Sequence, residues 1–352
     1  MVSVALRSAV IVDWSTIDSG SPSMSVRDLV VIGAGPAGLA VGIAASDAGL
    51  DYEIIEKGVL VNSVFNFPPG MTFFTTPDLL EIGKLPFVTP YEKPTRHEAL
   101  RYYRRVVDAY QLRISFGEEV TAITKDNSED GDVFIVDTTS KKGVRRGIRA
   151  RNVVFAVGYY DRANLLDVPG EDLPHVHHYY GDPHAHYRER VLIVGGKNSA
   201  AIAALELYRS GAQVTLVHRG ATLSDRIKYW IRPDIDNRIK EGSVTAYFQS
   251  KVVEIRPTTA IVEVPGGERK EIQADTVLLL TGYHPDFDLF RSAGVQLGER
   301  CAPVFNADTM ETNVPGLFVA GGIVGGLDTG LIFIENGRFH GDKIVQRILA
   351  VR

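Results

Sequence analysis

Apolar residues predict two strand, turn, helix and strand units in different parts of the chain. In the first unit, residues 29–32 form a β-branched apolar run, a glycine turn follows, and an alanine-rich helical pattern continues to about Ala48. Residues 52–55 then predict a second strand. Residues 191–217 repeat the same order. This repeat predicts the α/β class, with two doubly wound, Rossmann-like domains.

Each unit is followed by shorter apolar runs that predict strands. They cover residues 120–125, 133–139 and 148–157 after the first unit, and residues 252–255, 260–264 and 276–280 after the second. Helical spacing predicts a helix over 97–110, with an apolar face formed by Leu100, Tyr103, Val107 and Tyr110. Near the end of the chain, the pattern predicts a strand over 317–320 and a helix that begins near Thr329.

Residues 64–87 interrupt these patterns. The segment combines four prolines with five phenylalanines, which is unusual for a simple surface connection. Two interpretations remain open at this stage. The aromatic residues either cover the flat face of a ring-shaped cofactor or fill the protein core.

The first glycine turn has the spacing of a dinucleotide site. Gly33, Gly35 and Gly38 follow the first strand in G-x-G-x-x-G order. In such a turn the first glycine permits the bend, the second lets a pyrophosphate approach bare backbone, and the third allows close packing of helix and strand. Glu56 ends the second strand, where an acid holds a ribose hydroxyl pair. The unit therefore predicts dinucleotide binding.

The second glycine turn departs from this motif. Its three motif positions hold Gly195, Lys197 and Ala200, so Gly196 is the residue left to provide bare backbone. Lys197 either adds charge at the pyrophosphate or is a solvated lysine at the helix edge.

The second strand of this unit ends in a different residue type from the first. The position equivalent to Glu56 holds His218, and Arg219 follows it. An acid would repel a 2′-phosphate, whereas an arginine binds it, so the pair favours NADPH over NADH. Arg226 and Lys228 are candidates to assist.

Composition narrows the class of partner. The chain has 352 residues, enough for two domains, a net charge of −5 and a pI near 6.0. No basic excess exists to displace counterions from a nucleic acid, so small molecules are the expected partners. Cys301 is the single cysteine, which rules out a C-x-x-C redox pair within the chain.

Two stretches could be mistaken for targeting or membrane segments. Residues 29–46 carry no charge, but four glycines and a proline at turn spacing indicate a strand and a helix rather than a membrane span. Residues 1–23 lack the pattern of a signal peptide. We expect them to form a loosely ordered extension of a cytoplasmic protein.

At this point the chain resembles the low-molecular-weight thioredoxin-reductase-like flavoproteins, in which an NADPH domain is inserted into an FAD domain. It is more similar to the YpdA-type bacillithiol-disulfide reductases, and the resemblance extends from about Val26 onward. The matching segments are NSVFNFPPGMTFFTTPDLLEIG at 62–83, VGYYD at 157–161, VPGEDLPHVHHYY at 168–180, GGKNSAAIAALELYRSGA at 195–212 and FIENGRFHG at 333–341.

The resemblance implies FAD and NADPH as cofactors and no metal. It also implies the domain plan, with the FAD domain at 24–160 and 283–352 and the NADPH domain at 161–282. The implied FAD-binding residues are Gly33, Gly35, Pro36, Ala37, Gly38, Glu56, Lys57, Gly158, Gly321 and Gly322. The implied NADPH-binding residues are Gly195, Gly196, Lys197, Asn198, Ser199, Ala200, His218, Arg219 and Lys228.

Two residues depart from the families' pattern. Gly322 stands where the thioredoxin-reductase-like flavoproteins have an acid on the ribityl chain of the flavin. Ala37 stands where the bacillithiol-disulfide reductases have the cysteine proposed to attack the disulfide. Cys301, predicted in a loop after Gly298, is expected to be a structural or exposed thiol.

The sequence therefore predicts an oxidoreductase that passes hydride from NADPH to FAD and on to an unidentified acceptor, either a small molecule or a small redox protein. Three alternatives stay open. A partial match at 178–188 to the linker of flavin monooxygenases suggests monooxygenation, the missing thiol is compatible with electron delivery to a ferredoxin, and a redox-sensing flavoprotein would have negligible turnover. A homodimer is a further open possibility.

Overall fold

The computed structural model describes residues 25–126 and 133–352. The predicted N-terminal extension, residues 1–23, lies outside the described residues. Two sheets of unequal size organise the described chain, the larger one mixed and the smaller one parallel, and each contains a strand that leads directly into a glycine turn.

The larger sheet has seven strands in the order β3-β2-β1-β6-β5-β4, and β17 pairs with the end of β6. The strands β1, β2, β3 and β17 run parallel to their neighbours, whereas β4 and β5 are antiparallel. Their bounds are β1 (Arg27–Ile32), β2 (Tyr52–Glu56), β3 (Ile114–Phe116), β4 (Glu118–Asp126), β5 (Val133–Ser140), β6 (Arg145–Phe155) and β17 (Leu317–Val319).

Helices from both ends of the chain pack against this sheet. Helix α1 lies against α9, and a β-carbon placed on Gly341 would come within 2.7 Å of the carbonyl oxygen of Ala40, so the two backbones touch. The helices of this part are α1 (Pro36–Asp47), α2 (Asn62–Phe65), α3 (Pro77–Leu80), α4 (Arg96–Tyr110), α7 (Asp288–Ser292), α8 (Ile334–Gly337) and α9 (His340–Val351).

The smaller parallel sheet has the order β11-β10-β9-β15-β8. A three-stranded antiparallel sheet, β12-β13-β14, accompanies it. The bounds are β8 (Val176–His177), β9 (Arg190–Val194), α5 (Asn198–Arg209), β10 (Gln213–Val217), α6 (Arg232–Lys240), β11 (Val244–Tyr247), β12 (Lys251–Ile255), β13 (Thr259–Glu263), β14 (Arg269–Gln273) and β15 (Thr276–Leu279).

The smaller unit is inserted into the larger one. Its strands all fall between β6 and β17 of the larger sheet, and the chain enters and leaves it through the antiparallel pair β7 (Arg162–Ala163) and β16 (Tyr283–His284). The prediction of two nested, doubly wound units is therefore confirmed. The strand prediction missed β14, whose sequence RKEIQ is mostly charged and exposed and carries little apolar signal.

The predicted apolar face of α4 is displaced by one residue. The fully buried side chains are Ala99, Tyr102, Tyr103 and Val106, while Leu100, Val107 and Tyr110 are only partly buried. Tyr102 belongs inside because its hydroxyl accepts a hydrogen bond from the amide of Ile82 and donates one to the carbonyl of Leu85. A tyrosine with both roles filled can enter the core.

The helix predicted near Thr329 is wrong. Residues Gly321–Gly325 form a 3₁₀ helix that ends at Gly326, which has φ +56°. Turns then continue to Phe333, and α8 begins only where the side chain of Asn336 accepts the amide of Phe333 at 2.8 Å. Because glycines interrupt the helical pattern, the helix starts later than the apolar spacing indicates.

Of the two interpretations of residues 64–87, core filling is confirmed for two phenylalanines, while coverage of a ring-shaped cofactor stays a prediction. Phe73 and Phe87 lie in the core of the larger unit, whereas Phe65 and Phe74 are exposed by 48% and 37%.

Within the described residues, no helix combines the length and the apolar character needed to cross a membrane.

Candidate functional site

The first glycine turn is shaped by three different steric requirements. Gly33 has φ +106°, and a β-carbon there would lie 2.6 Å from the carbonyl oxygen of Ala156. A β-carbon on Gly38 would lie 1.9 Å from the carbonyl oxygen of Gly33, which ties α1 to the strand end. Around Gly35, by contrast, the described residues leave the β-carbon position open to 4 Å. Pro36 starts α1 directly after it. The turn thus presents bare backbone at a helix start, as a pyrophosphate requires.

Glu56 is joined to this turn by hydrogen bonds. Its carboxylate accepts the amide of Ala34 at 2.8 Å and the amide of Gly58 at 2.7 Å, and the residue is buried. Burial raises the pKa of Glu56, and the two backbone hydrogen bonds act against that shift. Each oxygen keeps a free lone pair, so the carboxylate can also receive ribose hydroxyls. The next residue, Lys57, forms an ion pair with Asp161 at 2.8 Å.

Four further predicted residues meet at the carboxyl end of the larger sheet. A β-carbon on Gly321 would lie 2.7 Å from the β-carbon of Ala37, so the glycine loop after β17 touches the first turn of α1. Gly158 follows β6 in the left-handed region, with φ +66°. A β-carbon on Gly322 would lie 2.8 Å from the ring of Tyr159. Tyr159 was not among the predicted site residues, although its position after a glycine at a strand end was visible in the sequence.

A buried histidine holds the glycine loop through a hydrogen bond to its backbone. The Nδ1 atom of His340 accepts the amide of Gly321 at 3.1 Å, so the proton of the neutral ring is on Nε2. Burial, together with the nearby Lys343 ammonium, lowers the pKa of His340 to about 4. The loop is therefore held by a neutral imidazole near pH 7.

Acid is expected to weaken the fold through His340. Because the folded-state pKa lies below the ordinary value of about 6.5, the contribution of this histidine is complete above pH 6.5 and is lost as the pH falls towards about 4. Between pH 7 and pH 5 the loss is about 2 kcal/mol. Denaturant unfolding of the apoprotein at both pH values, for the native chain and His340→Gln, measures it. An equal pH dependence in both proteins would contradict this assignment.

The second glycine turn is packed around a histidine. A β-carbon on Gly195 would lie 2.8 Å from the β-carbon of Ala200 and 2.8 Å from the carbonyl oxygen of Leu280. A β-carbon on Gly196 would lie 2.3 Å from the ring of His218. Burial, followed by the charge of Arg219, lowers the pKa of His218. The position equivalent to Glu56 therefore holds a neutral ring above the turn at pH 7.

Three predicted cationic residues surround this turn, and they differ in the contacts that their side chains make. Lys197 and Arg219 are exposed, and neither side chain forms a hydrogen bond or ion pair with any residue that the structure describes. Lys228 lies over the ring of Phe74, 4.7 Å from its centroid. Asn198 orders this region, because its side chain donates to the carbonyl of Arg226 and accepts the amide of Lys228, both at 3.0 Å. The remaining predicted residue, Ser199, is exposed on α5.

The loop after the second turn also contacts the larger unit. Besides the contact of Lys228 with Phe74, the ring of Trp230 lies 6.2 Å from that of Phe74, and the ammonium of Lys93 lies 3.8 Å from the centroid of the Trp230 ring. Arg226 and Asp328 approach to 3.7 Å. We call the set Phe74, Lys93, Arg226, Lys228, Trp230 and Asp328 the bridging cluster.

Cys301 lies in a short 3₁₀ turn, Glu299–Cys301, and is partly buried. The carbonyl of the preceding residue, Arg300, accepts the amide of Leu327 at 2.8 Å. Among the described residues, no group of histidine, cysteine or acidic side chains could hold a metal ion.

Comparison with known proteins identifies the family to which the chain belongs. A family model described as pyridine nucleotide-disulphide oxidoreductase matches residues 30–321. The chain belongs to that family. Among the relatives of this oxidoreductase, bacilliredoxin reductase Bdr of Bacillus subtilis is 40% identical over 320 residues, which are 91% of this chain and 96% of the relative.

Two further comparisons extend the match. The structure of bacillithiol disulfide reductase Bdr (YpdA) from Bacillus cereus has a TM-score of 0.90 and 41% identity, covering 93% of this chain and all of that one. A ferredoxin–NADP reductase of Ignicoccus hospitalis is 27% identical over 311 residues, 85% of this chain and 90% of the relative. The resemblance to the YpdA-type reductases is thus confirmed.

The oxidoreductase uses FAD and NADPH, passing hydride from NADPH to FAD and on to an acceptor. Its residues fit both cofactors. The open backbone at Gly35 and the oriented carboxylate of Glu56 suit an adenine dinucleotide, and the unpaired Arg219 at the equivalent strand end suits a 2′-phosphate.

Proposed function

We propose that this oxidoreductase delivers electrons from NADPH, through FAD, to a small acceptor without the use of a protein thiol. The observation that carries the proposal is the placement of Ala37, whose methyl group lies against Gly321 at the first turn of α1. A methyl group cannot attack a disulfide, whereas FAD supplies the two-electron chemistry itself. The protein then has to bind, orient and shield the cofactors.

We assign FAD to the larger unit, residues 24–160 and 283–352. The turn of Gly33, Gly35 and Gly38 would bind the pyrophosphate, with Pro36 setting the start of α1 and Glu56 binding ribose. Ala37, Lys57, Gly158, Gly321 and Gly322 would border the rest of the cofactor, because they lie at the same sheet end. The open backbone at Gly35 supports this assignment.

We assign NADPH to residues 161–282. The turn formed by Gly195, Gly196, Lys197, Asn198, Ser199 and Ala200 would bind the pyrophosphate at the start of α5. Arg219, assisted by Lys228, would bind the 2′-phosphate next to the ring of His218. The exposed and unpaired state of Arg219 supports this role.

Replacement of Arg219 is expected to change the KM for NADPH much more than the KM for NADH. Arg219→Ala should raise the KM for NADPH by about tenfold or more, because a bidentate contact with phosphate is lost. The KM for NADH should change little, since NADH carries no 2′-phosphate. Steady-state kinetics with both cofactors measures the difference, and Arg209→Ala, on the far end of α5, is the matched control. An equal loss with both cofactors would show that Arg219 does not read the phosphate.

The names of the relatives point to two classes of acceptor, of which only one is compatible with alanine at position 37. The names of two relatives point to bacilliredoxin and bacillithiol disulfide, and a third points to ferredoxin. Ferredoxin reduction is our second candidate, because it requires no cysteine at position 37. NADPH consumption in the presence of ferredoxin, a quinone or bacillithiol disulfide distinguishes these acceptors.

We also propose that the protein works in the cytoplasm, where NADPH is supplied. We further propose that it forms a homodimer, which light scattering would test.

A further inference from the structure

The ring of Tyr159 occupies the space that a side chain at position 322 would need. A β-carbon on Gly322 would lie 2.8 Å from both Cδ1 and Cε1 of that ring, closer than packed carbon atoms approach. Gly158, with φ +66°, turns the chain directly before Tyr159. The glycine at 322 and the tyrosine at 159 are therefore a matched pair, although they are far apart in sequence.

This pair lies where a cofactor is expected. Gly322 belongs to the loop after β17, its neighbour Gly321 touches Ala37 at the start of α1, and Tyr159 follows the end of β6. The carboxyl ends of parallel strands and the helix start after the glycine turn meet here. In open α/β sheets the ligand binds at this edge.

The hydroxyl of Tyr159 differs from those of the neighbouring tyrosines. Tyr179 donates to the carbonyl of Tyr160 at 2.8 Å, and Tyr283 donates to the carbonyl of His178 at 3.0 Å. Within residues 25–126 and 133–352, the Tyr159 hydroxyl has no hydrogen-bond partner. Burial raises the pKa of Tyr159, so the phenol remains a proton donor at neutral pH. Tyr159 is only partly buried, so its hydroxyl is free to donate a hydrogen bond to a ligand that enters the site.

We propose that Tyr159 is a flavin-binding residue, whose hydroxyl donates a hydrogen bond to FAD and whose ring replaces the side chain that Gly322 lacks. The inference rests on the proposed FAD site and adds a residue to it. An FAD molecule bound along the 321–322 loop would offer two types of acceptor, the hydroxyls of its ribityl chain and the oxygens of its ring. Either type of oxygen accepts a phenolic proton.

Binding of FAD to the apoprotein tests the hydroxyl. Tyr159→Phe keeps the ring against Gly322 and removes one donor, so the Kd for FAD, from quenching of flavin fluorescence, should rise about threefold to tenfold. Tyr179→Phe removes a neighbouring hydroxyl that already has a backbone partner, and its Kd should stay within about twofold of the native value. The melting temperatures of the apoproteins show that each variant is folded.

A second pair of variants tests the ring. Gly322→Ala should weaken FAD binding by roughly tenfold in the native background, because the new methyl group displaces the Tyr159 ring. In the Tyr159→Ala background the same substitution should cost less than about twofold, since the space is then empty.

Three results would contradict the role of Tyr159 or the FAD site on which it rests. An unchanged Kd in Tyr159→Phe would overturn the hydrogen bond, and an equal effect of Gly322→Ala in both backgrounds would overturn the steric pairing. Failure of the native chain itself to bind FAD would instead overturn the assignment of the FAD site. The expected pattern, with Tyr179→Phe unaffected, supports the inference.

Discussion

Negligible NADPH consumption is expected when the native chain is offered bacillithiol disulfide. Reduction through a protein thiol begins with attack of a thiolate on one sulfur and forms a mixed disulfide. At position 37 this chain has a methyl group, which lies against Gly321 at the start of α1. That step therefore has no nucleophile at the position where the resembling reductases have their proposed cysteine.

Three proteins test this expectation: the native chain, Ala37→Cys and Cys301→Ser. Strong activity in the native chain that survives Cys301→Ser would mean that the disulfide is reduced directly by the cofactor, and the argument from Ala37 would be wrong. Strong activity that disappears in Cys301→Ser would make Cys301 the working thiol. Neither outcome is expected, because Cys301 is partly buried in a separate turn. Ala37→Cys should gain little, since a thiol alone does not create a disulfide pocket.

Gly38→Ala is expected to abolish FAD binding and to destabilise the apoprotein. The new β-carbon would lie 1.9 Å from the carbonyl oxygen of Gly33 and 3.1 Å from its carbonyl carbon. Both are backbone atoms of the turn, so α1 would have to move away from the end of β1. Overpacking of this kind costs about 3 kcal/mol, which lowers the melting temperature by roughly 6–12 °C.

Gly35→Ala is the matched control for this prediction. Its β-carbon would meet no described atom within 4 Å, and its φ of −73° is ordinary for alanine. The apoprotein should therefore keep its stability to within about 0.5 kcal/mol. FAD binding should still weaken, by about tenfold or more, because the methyl group would face the pyrophosphate at the proposed FAD site. Equal thermal stability of the two apoproteins would refute the steric roles assigned to these glycines.

Local sequence signals predicted the parts of the fold that depend on neighbouring residues. The first glycine turn, the helix after it and the carboxylate of Glu56 follow from spacing alone, because the strand and helix of one unit pack on each other. The presence of two such units followed from the repeat, whereas their nesting was implied by the family resemblance. In the same way, Gly195 and Gly196 marked the second turn.

The remaining features depend on contacts between distant segments. The pairing of Tyr159 with Gly322 and the hold of His340 on Gly321 join residues that only the folded chain brings together. The buried face of α4 was displaced because the Tyr102 hydroxyl found backbone partners, which apolar periodicity does not register. Strand β14 was missed because its charged side chains are exposed at the edge of a small sheet.

If Lys228 binds the 2′-phosphate as proposed, the bridging cluster couples the binding of NADPH to the contact between the two units. Lys228 is both a candidate ligand of the 2′-phosphate and the cation that lies over Phe74 of the larger unit. A phosphate that draws this ammonium away weakens one of the contacts between the units. Because the two contacts compete for one ammonium, removal of its contact with Phe74 should raise the affinity for the phosphate. Phe74→Leu should thus lower the Kd for NADPH, even though Phe74 lies in the larger unit and not in the unit proposed to bind NADPH.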